Sequence, residues 1–385
     1  MSLLRSYRQS RLVCLPTSPL PVLPGIKWFS PTHPRTQTQH QIIKTRLHSF
    51  STTSIMSSRY AAAHKEPQGF GDARPTALDI VKDEGLQGKL GDKVALITGC
   101  SSGIGIETAR ALNATGCKLF LGVRDTAKGQ NALADILEPG RVELLTMDLN
   151  SLDSVRAAAA EFLKKSKTLN ILINNAGVMA TPEGKTADGF ETQFGTCHLA
   201  HFLLFQLLKP ALLASSTPHF NSRVVALTSS GHRGGGIRSD DYNFEKGNYS
   251  PWVAYGQAKT ANIYMANEIE RRYGAKGLHG LSVMPGGIMT GLQKHVPAIA
   301  EMTKQEAVRK YMKSPEQGAA TTLYAALSKE WEGRGGKYLE DCGEAELTTS
   351  TEPLALGHAP HAYDEKAEKK LWADSLKFVG LKDDE

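Results

Sequence analysis

Thr98-Gly99-Cys100-Ser101-Ser102-Gly103-Ile104-Gly105 is the stretch on which the fold turns. It closes an apolar run at 94–98 and leads straight into a helical pattern at 103–114. Three glycines at this spacing have distinct uses. Gly99 permits a tight turn, Gly103 lets backbone approach a pyrophosphate, and Gly105 lets helix and strand pack closely. The N–H groups and positive dipole end of the helix complete an anion site. Alone, a glycine trio is equally a plain turn; its place between strand and helix makes it a dinucleotide-binding signature.

The texture outward from this loop is regular. Apolar runs at 94–98, 118–123, 142–146, 170–173, 223–228 and 281–284 read as buried strands. Amphipathic stretches at 103–114, 151–165, 189–213 and 255–273 read as helices, and a last one is expected over 363–378. Such alternation means βαβ units, hence a parallel sheet with helices on both faces. Right-handed crossovers then give a doubly wound α/β domain of Rossmann type. That domain is expected over 91–385, with 91–290 as cofactor and catalytic core and 291–385 as the substrate side. Residues 66–90 read as a linker.

The first 65 residues are a segment apart. They hold nine of the 45 basic residues and no acidic one, and they show no sustained apolar period. Such a segment cannot bury enough surface to offset its ordering entropy, so disorder is expected. Its composition fits a mitochondrial transit peptide; translation from Met56, giving a cytoplasmic product, is the alternative. The rest of the chain carries 36 basic against 39 acidic residues, so the formal charge of +6 belongs to the tail. A nucleic-acid-binding domain would need a basic body. No run of eighteen apolar residues occurs, so no membrane-spanning helix is expected. Five widely spaced cysteines form neither a disulfide framework nor a metal-ligand pattern, which suits a reducing compartment.

The second strand ends without an acid and is followed by Arg124, then Asp125. An acid there would bind both ribose hydroxyls, whereas an arginine pairs with a 2′-phosphate through its planar fork. NADP(H) is therefore the expected cofactor, with Lys128 as an auxiliary charge. A solvated Arg124 with Asp125 on the ribose is the alternative. Tyr255 and Lys259 stand one helical turn apart, after Pro251. A phenol, with a reference pKa of ~10, is a poor base near neutrality unless a nearby ammonium favours its phenolate. With a strand ending in Thr228-Ser229-Ser230 just before it, the pair reads as acid/base machinery rather than an ordinary exposed pair. No Gly-x-Ser-x-Gly elbow surrounds these serines, so His232 reads as a loop histidine near the site mouth, not a hydrolase base. Tyr242, Phe244, Tyr249 and Trp252 punctuate the stretch after it. Their default reading is packing, the other a cover over an apolar substrate.

These motifs, with Asn174-Asn175-Ala176-Gly177 and Pro285-Gly286 in the same order, resemble the short-chain dehydrogenase/reductase family. His198-Leu199-Ala200-His201-Phe202, 252–257 and 336–342 extend the likeness to the branch of retinol dehydrogenases, the WW-domain oxidoreductase and related fungal enzymes. The resemblance implies an NADP(H)-dependent oxidoreductase that interconverts an alcohol and a carbonyl on a small, apolar molecule. It implies cofactor contacts from Gly99, Ser101, Gly103, Ile104 and Gly105, with Arg124 at the 2′-phosphate and Asp148 and Leu149 at the adenine. Asn175, Ala176 and Gly177 would line the ribose, and Pro285, Gly286, Ile288 and Thr290 the nicotinamide and phosphate side. Tyr255 and Lys259 would touch the cofactor as well as the substrate. It places the catalytic serine at Ser229, with Ser230 as the fallback. Residues 293–315 would form the other substrate wall. A homodimer or homotetramer built through the helices at 189–213 and 255–273 is implied too. One departure stands out: Cys197 occupies the position where the family usually has an asparagine holding a proton-relay water. A thiol is a weak substitute for an amide, so the relay is expected to be impaired, unless Cys197 simply fills packing space. Two further readings stay open, a low-turnover cofactor-binding regulator and a C=C reductase.

Overall fold

The computed structural model describes residues 58–350, 352 and 354–383. The transit-peptide reading therefore lies almost wholly outside the described residues. Six strands fall where the apolar runs predict: β1 (Val94–Thr98), β2 (Lys118–Val123), β3 (Val142–Thr146), β4 (Ile171–Asn174), β5 (Ser222–Leu227) and β6 (Leu278–Met284). A two-stranded ribbon pairs β7 (Gly287–Ile288) with β8 (Met312–Lys313). β9 (Lys337–Glu340) and β10 (Gly343–Glu344) complete one eight-stranded sheet of order β10-β9-β6-β5-β4-β1-β2-β3, parallel except for β10. The chain reverses its direction of travel between β1 and β4, which opens a crevice at the carboxyl ends of those strands.

Alternation along each strand feeds two cores, one on each face of the sheet. Leu96, Phe120, Leu172 and Val224 point to one; Ile97, Leu121, Ile171, Ile173 and Val225 point to the other. Eight principal helices cover these faces: α1 (Ala77–Asp83), α2 (Ile104–Asn113), α3 (Thr126–Leu133), α4 (Leu152–Lys165), α5 (Ala200–Ser215), α6 (Pro251–Tyr273), α7 (Ala320–Leu327) and α8 (Glu365–Phe378). The first core takes α4 and α5, with Phe162 edge-on to Phe120 at 4.7 Å. The second takes α1, α2 and α7.

Three expectations need correction. Residues 58–65, assigned to the unstructured tail, lie on the body: Tyr60 is buried edge-on to Tyr324 at 5.9 Å and donates to Asp83 at 2.9 Å. The expected linker contains α1, opened by a Thr76–Asp79 capping box and burying Ala77, Ile80 and Val81. The helix read over 189–213 is interrupted. A short turn at Thr192–Phe194 passes into a π turn at Gly195–Leu199 before α5 begins, an insertion that a 3.6-residue period cannot reveal. Apart from these, α8 lies on α5 and α6, the helices through which the resemblance implies assembly. Trp372 packs on Phe202 at 4.9 Å, Ser375 meets His198 at 2.9 Å, and Glu368 accepts from Asn267 at 2.7 Å. The chain's own C-terminus thus covers part of that surface.

The segment Thr192–Ser215 is long and apolar enough to cross a membrane, but 72% of its most apolar window is buried within the protein. It is a core element here.

Candidate active site

The glycine loop lies at the carboxyl end of β1. Gly99 and Gly103 both have positive φ, 76° and 63°, and Gly103 caps α2 with no side chain over its first amides. A methyl group on Gly105 would stand 2.3 Å from the Gly99 carbonyl oxygen and 2.7 Å from Asn175 Nδ2. One on Gly103 would meet Thr290 Cγ2 at 3.1 Å, so Thr290 reaches the loop from beyond β6. Ser101 is half-buried within the loop, and Ile104 packs near Gly318 beside Ile288.

Across from it, the end of β4 is tied to β1. Asn175 Nδ2 donates to the Thr98 carbonyl at 2.7 Å, and the amides of Asn175 and Ala176 both donate to Thr98 Oγ1 at 3.0 Å. Asn175 Oδ1 and both amide atoms of Asn174 are buried without a hydrogen-bond partner. Helix amides with no side-chain cap, close glycine backbone and these orphaned acceptors and donors fit a phosphate-bearing dinucleotide. Arg124 is exposed at the end of β2. Asp125 caps α3 by accepting the Lys128 amide at 3.0 Å. Asp148 accepts from the Asn150 amide at 3.0 Å, with Leu149 buried next to it. Below Pro285 and Gly286 lies the buried Lys313, bonded to Asp341 at 2.6 Å and to the Pro285 carbonyl at 3.4 Å.

Ser229, Tyr255 and Lys259 come together at the ends of β5 and α6. A Cβ on Gly231 would fall 2.9 Å from the Tyr255 ring and 3.4 Å from Ser229 Oγ, so both side chains stand against the same glycine. Ser229 Oγ accepts the Gly231 amide at 3.1 Å. Ser230, by contrast, contributes its carbonyl to Arg233 at 3.3 Å. Lys259 is buried, with Nζ donating to the Leu227 carbonyl at 3.1 Å and lying 5.7 Å from the Tyr255 ring centre. Nζ also closes on Gly177, where a Cβ would be 3.4 Å from both it and Cys197 Sγ. The Cys197 thiol meets both backbone groups of Val178, at 3.4 Å to the amide and 3.5 Å to the carbonyl. Burial pushes that thiol's pKa up, so it stays protonated.

Sequence reasoning placed 293–315 beside the site but did not single out the apolar neighbours of Tyr255. Met179, Ala180, Leu292, Val296 and Ile299 form an apolar cluster around its ring. The residues after Asn175-Ala176-Gly177 and the spacing of 292, 296 and 299 were available as signals. Of 293–315, Lys294 and His295 face out, whereas Met312 is buried in the β7–β8 ribbon. Tyr242 and Phe244 are buried packing, the former stacked on Phe194 at 5.2 Å, while Trp252 remains 41% exposed. His232 is not at the mouth of the site: it is wholly buried behind Ser229. Among the described residues no cluster of histidine, cysteine or acid could hold a metal.

Comparison with known proteins gives the family. The family model described as short chain dehydrogenase matches residues 93–300. The Short-chain dehydrogenase/reductase prx1 of Penicillium roqueforti is 59% identical over 325 residues, covering 84% of this chain and 95% of that protein. Retinol dehydrogenase 12 of Mus musculus is a more distant relative, 36% identical over 292 residues, 75% of this chain and 87% of its own length. Among solved structures, an uncharacterized protein from Mycobacterium Paratuberculosis superposes with a TM-score of 0.61 at 32% identity, covering 80% of this chain and 99% of that one. Its sheet, its nucleotide crevice and its close relatives together make this chain an oxidoreductase of the short-chain dehydrogenase/reductase family, whose members bind a nicotinamide cofactor.

Proposed function

We propose that the chain interconverts an alcohol and a carbonyl on a small apolar molecule, with NADP(H) as its cofactor. The convergence of Ser229 Oγ and the Tyr255 ring on Gly231, with Lys259 buried 5.7 Å from the ring centre, carries this reading. When bound, the nicotinamide would supply or take up a hydride at the substrate carbon. In the reducing direction the Ser229 hydroxyl donates to the carbonyl oxygen and stabilises the charge that develops there. Tyr255 gives that oxygen its proton, and the positive charge of Lys259 favours the phenolate left behind. In the oxidising direction the same phenolate takes the proton back.

Two features favour the finer assignments. Asp125 is already engaged as the α3 cap, whereas Arg124 is exposed at the end of β2 with no ion pair among the described residues. Met179, Leu292, Val296 and Ile299 offer an apolar partner, not a charged one, to whatever lies against Tyr255. The test is consumption of NADPH and of NADH over a panel of apolar aldehydes, ketones and enones, with products identified. Alcohols formed with NADPH are expected. Tight NADPH binding with no turnover on any member, or reduction confined to C=C bonds, overturns the proposal.

A further inference from the structure

His232 has no exposed surface, and its hydrogen bonds determine its tautomer. Nε2 accepts the backbone N–H of Ala359 at 3.0 Å. An accepting nitrogen carries no proton, so the neutral ring holds its proton on Nδ1, which donates to the Ser229 carbonyl at 2.7 Å. Burial pulls this imidazole down to about 4, which keeps it neutral at ordinary pH. The Ser229 carbonyl also takes the His232 amide at 3.1 Å, while Ser229 Oγ takes the Gly231 amide.

The other side of this histidine leads to a distant part of the chain. Arg233 reaches the carbonyls of Ala355 at 2.6 Å and Glu352 at 3.2 Å, and that of Ser230 at 3.3 Å. His361 Nε2 donates to the His232 carbonyl at 2.9 Å. Glu352 and residues 354–361 thus grip the turn that carries the serine, and they are joined to it through His232 and Arg233.

We propose that His232 is a positioning residue: it fixes the backbone of Ser229, and hence the aim of the serine hydroxyl, against this C-terminal segment. The inference rests on the assignment of Ser229 to the reaction. It acts through Ser229 and touches no reacting atom.

Three substitutions separate the halves of the bridge. An asparagine amide nitrogen takes the place of Nδ1 and reaches Ser229 but not Ala359. A glutamine oxygen takes the place of Nε2 and accepts from Ala359 but leaves Ser229. With the best carbonyl compound of the panel, His232→Ala and His232→Gln should each lose about 10- to 100-fold in kcat, with KM for NADPH nearly unchanged. His232→Asn, which keeps the bond to Ser229 but loses the anchor at Ala359, should recover only part of it. Equal kcat in the asparagine and glutamine variants, or wild-type kcat in all three despite lower Tm, overturns the proposal.

Hydrogen exchange gives a readout independent of any substrate. His232→Ala should deprotect both 229–235 and 354–361; asparagine should retain protection in the first segment only, glutamine in the second only. Unchanged protection of both segments in His232→Ala overturns the bridge. If the wild type turns over nothing on the panel, the functional reading fails, and this exchange pattern still decides whether the two segments are coupled.

Discussion

Replacing Arg124 by alanine should separate the two nicotinamide cofactors. The guanidinium is exposed just past the buried end of β2 and makes no ion pair among the described residues. Its neighbour Asp125 is held as a helix cap by the Lys128 amide. A charge-assisted arginine–phosphate bond is worth about 1.5–3 kcal/mol, which corresponds to roughly 10- to 150-fold in affinity. Exposure and salt screening push the expected loss toward the lower end. Titration of the reduced cofactors by nicotinamide fluorescence, at low and high salt, reads this directly. NADPH should weaken by about an order of magnitude and lose part of its salt dependence, while NADH, lacking the 2′-phosphate, stays within about two-fold. The companion variant Asp125→Ala should cost about 1 kcal/mol of stability through the lost cap and leave the NADPH to NADH ratio alone. Equal weakening of both cofactors in Arg124→Ala, or a changed ratio in Asp125→Ala, would refute the assignment.

Other outcomes follow from single positions. Gly105→Ala drives a methyl group to 2.3 Å from a backbone oxygen, so thermal unfolding should show a loss of about 1–3 kcal/mol, with weaker cofactor binding; an unchanged Tm and affinity would contradict the described loop. Cys197→Asn gives the Val178 backbone a stronger partner than the thiol and should raise turnover in steady-state assays. An unchanged or lower turnover number counts against an impaired relay. Burial raises Glu340 from 4.5 to about 7 in the folded state, so between those values the native protein holds a proton that the unfolded chain has released. Stability therefore falls as pH rises through this window, and Glu340→Gln should flatten that part of a Tm-against-pH curve; a curve that keeps its slope assigns the dependence elsewhere.

Strand positions were legible because a strand buried on both faces reads as an unbroken apolar run, as in Val94-Ala95-Leu96-Ile97. The glycine loop was legible because only glycine fits at Gly105. What escaped had no local signature. α7 is buried along its whole length, so Ala320–Leu327 shows no polar face to set a helical period. α1 had a readable capping box, but its seven residues are too few for a convincing period. The π turn adds a single residue, and its consequence, Cys197 against Val178, depends on a contact 19 positions away. His232 illustrates the limit most clearly. Its role is set by Ala359, 127 residues downstream, and no spacing rule connects the two.

The central claim is that Tyr255, under the charge of Lys259, moves the proton at the substrate oxygen. The direct measurement is turnover and NADPH affinity of Tyr255→Phe beside the wild type. This variant removes one hydroxyl from a ring packed among Met179, Leu292 and Val296. The account predicts NADPH binding within about two-fold of wild type and a fall in kcat of about 100-fold or more. Turnover retained in Tyr255→Phe, with the cofactor bound as before, would contradict it.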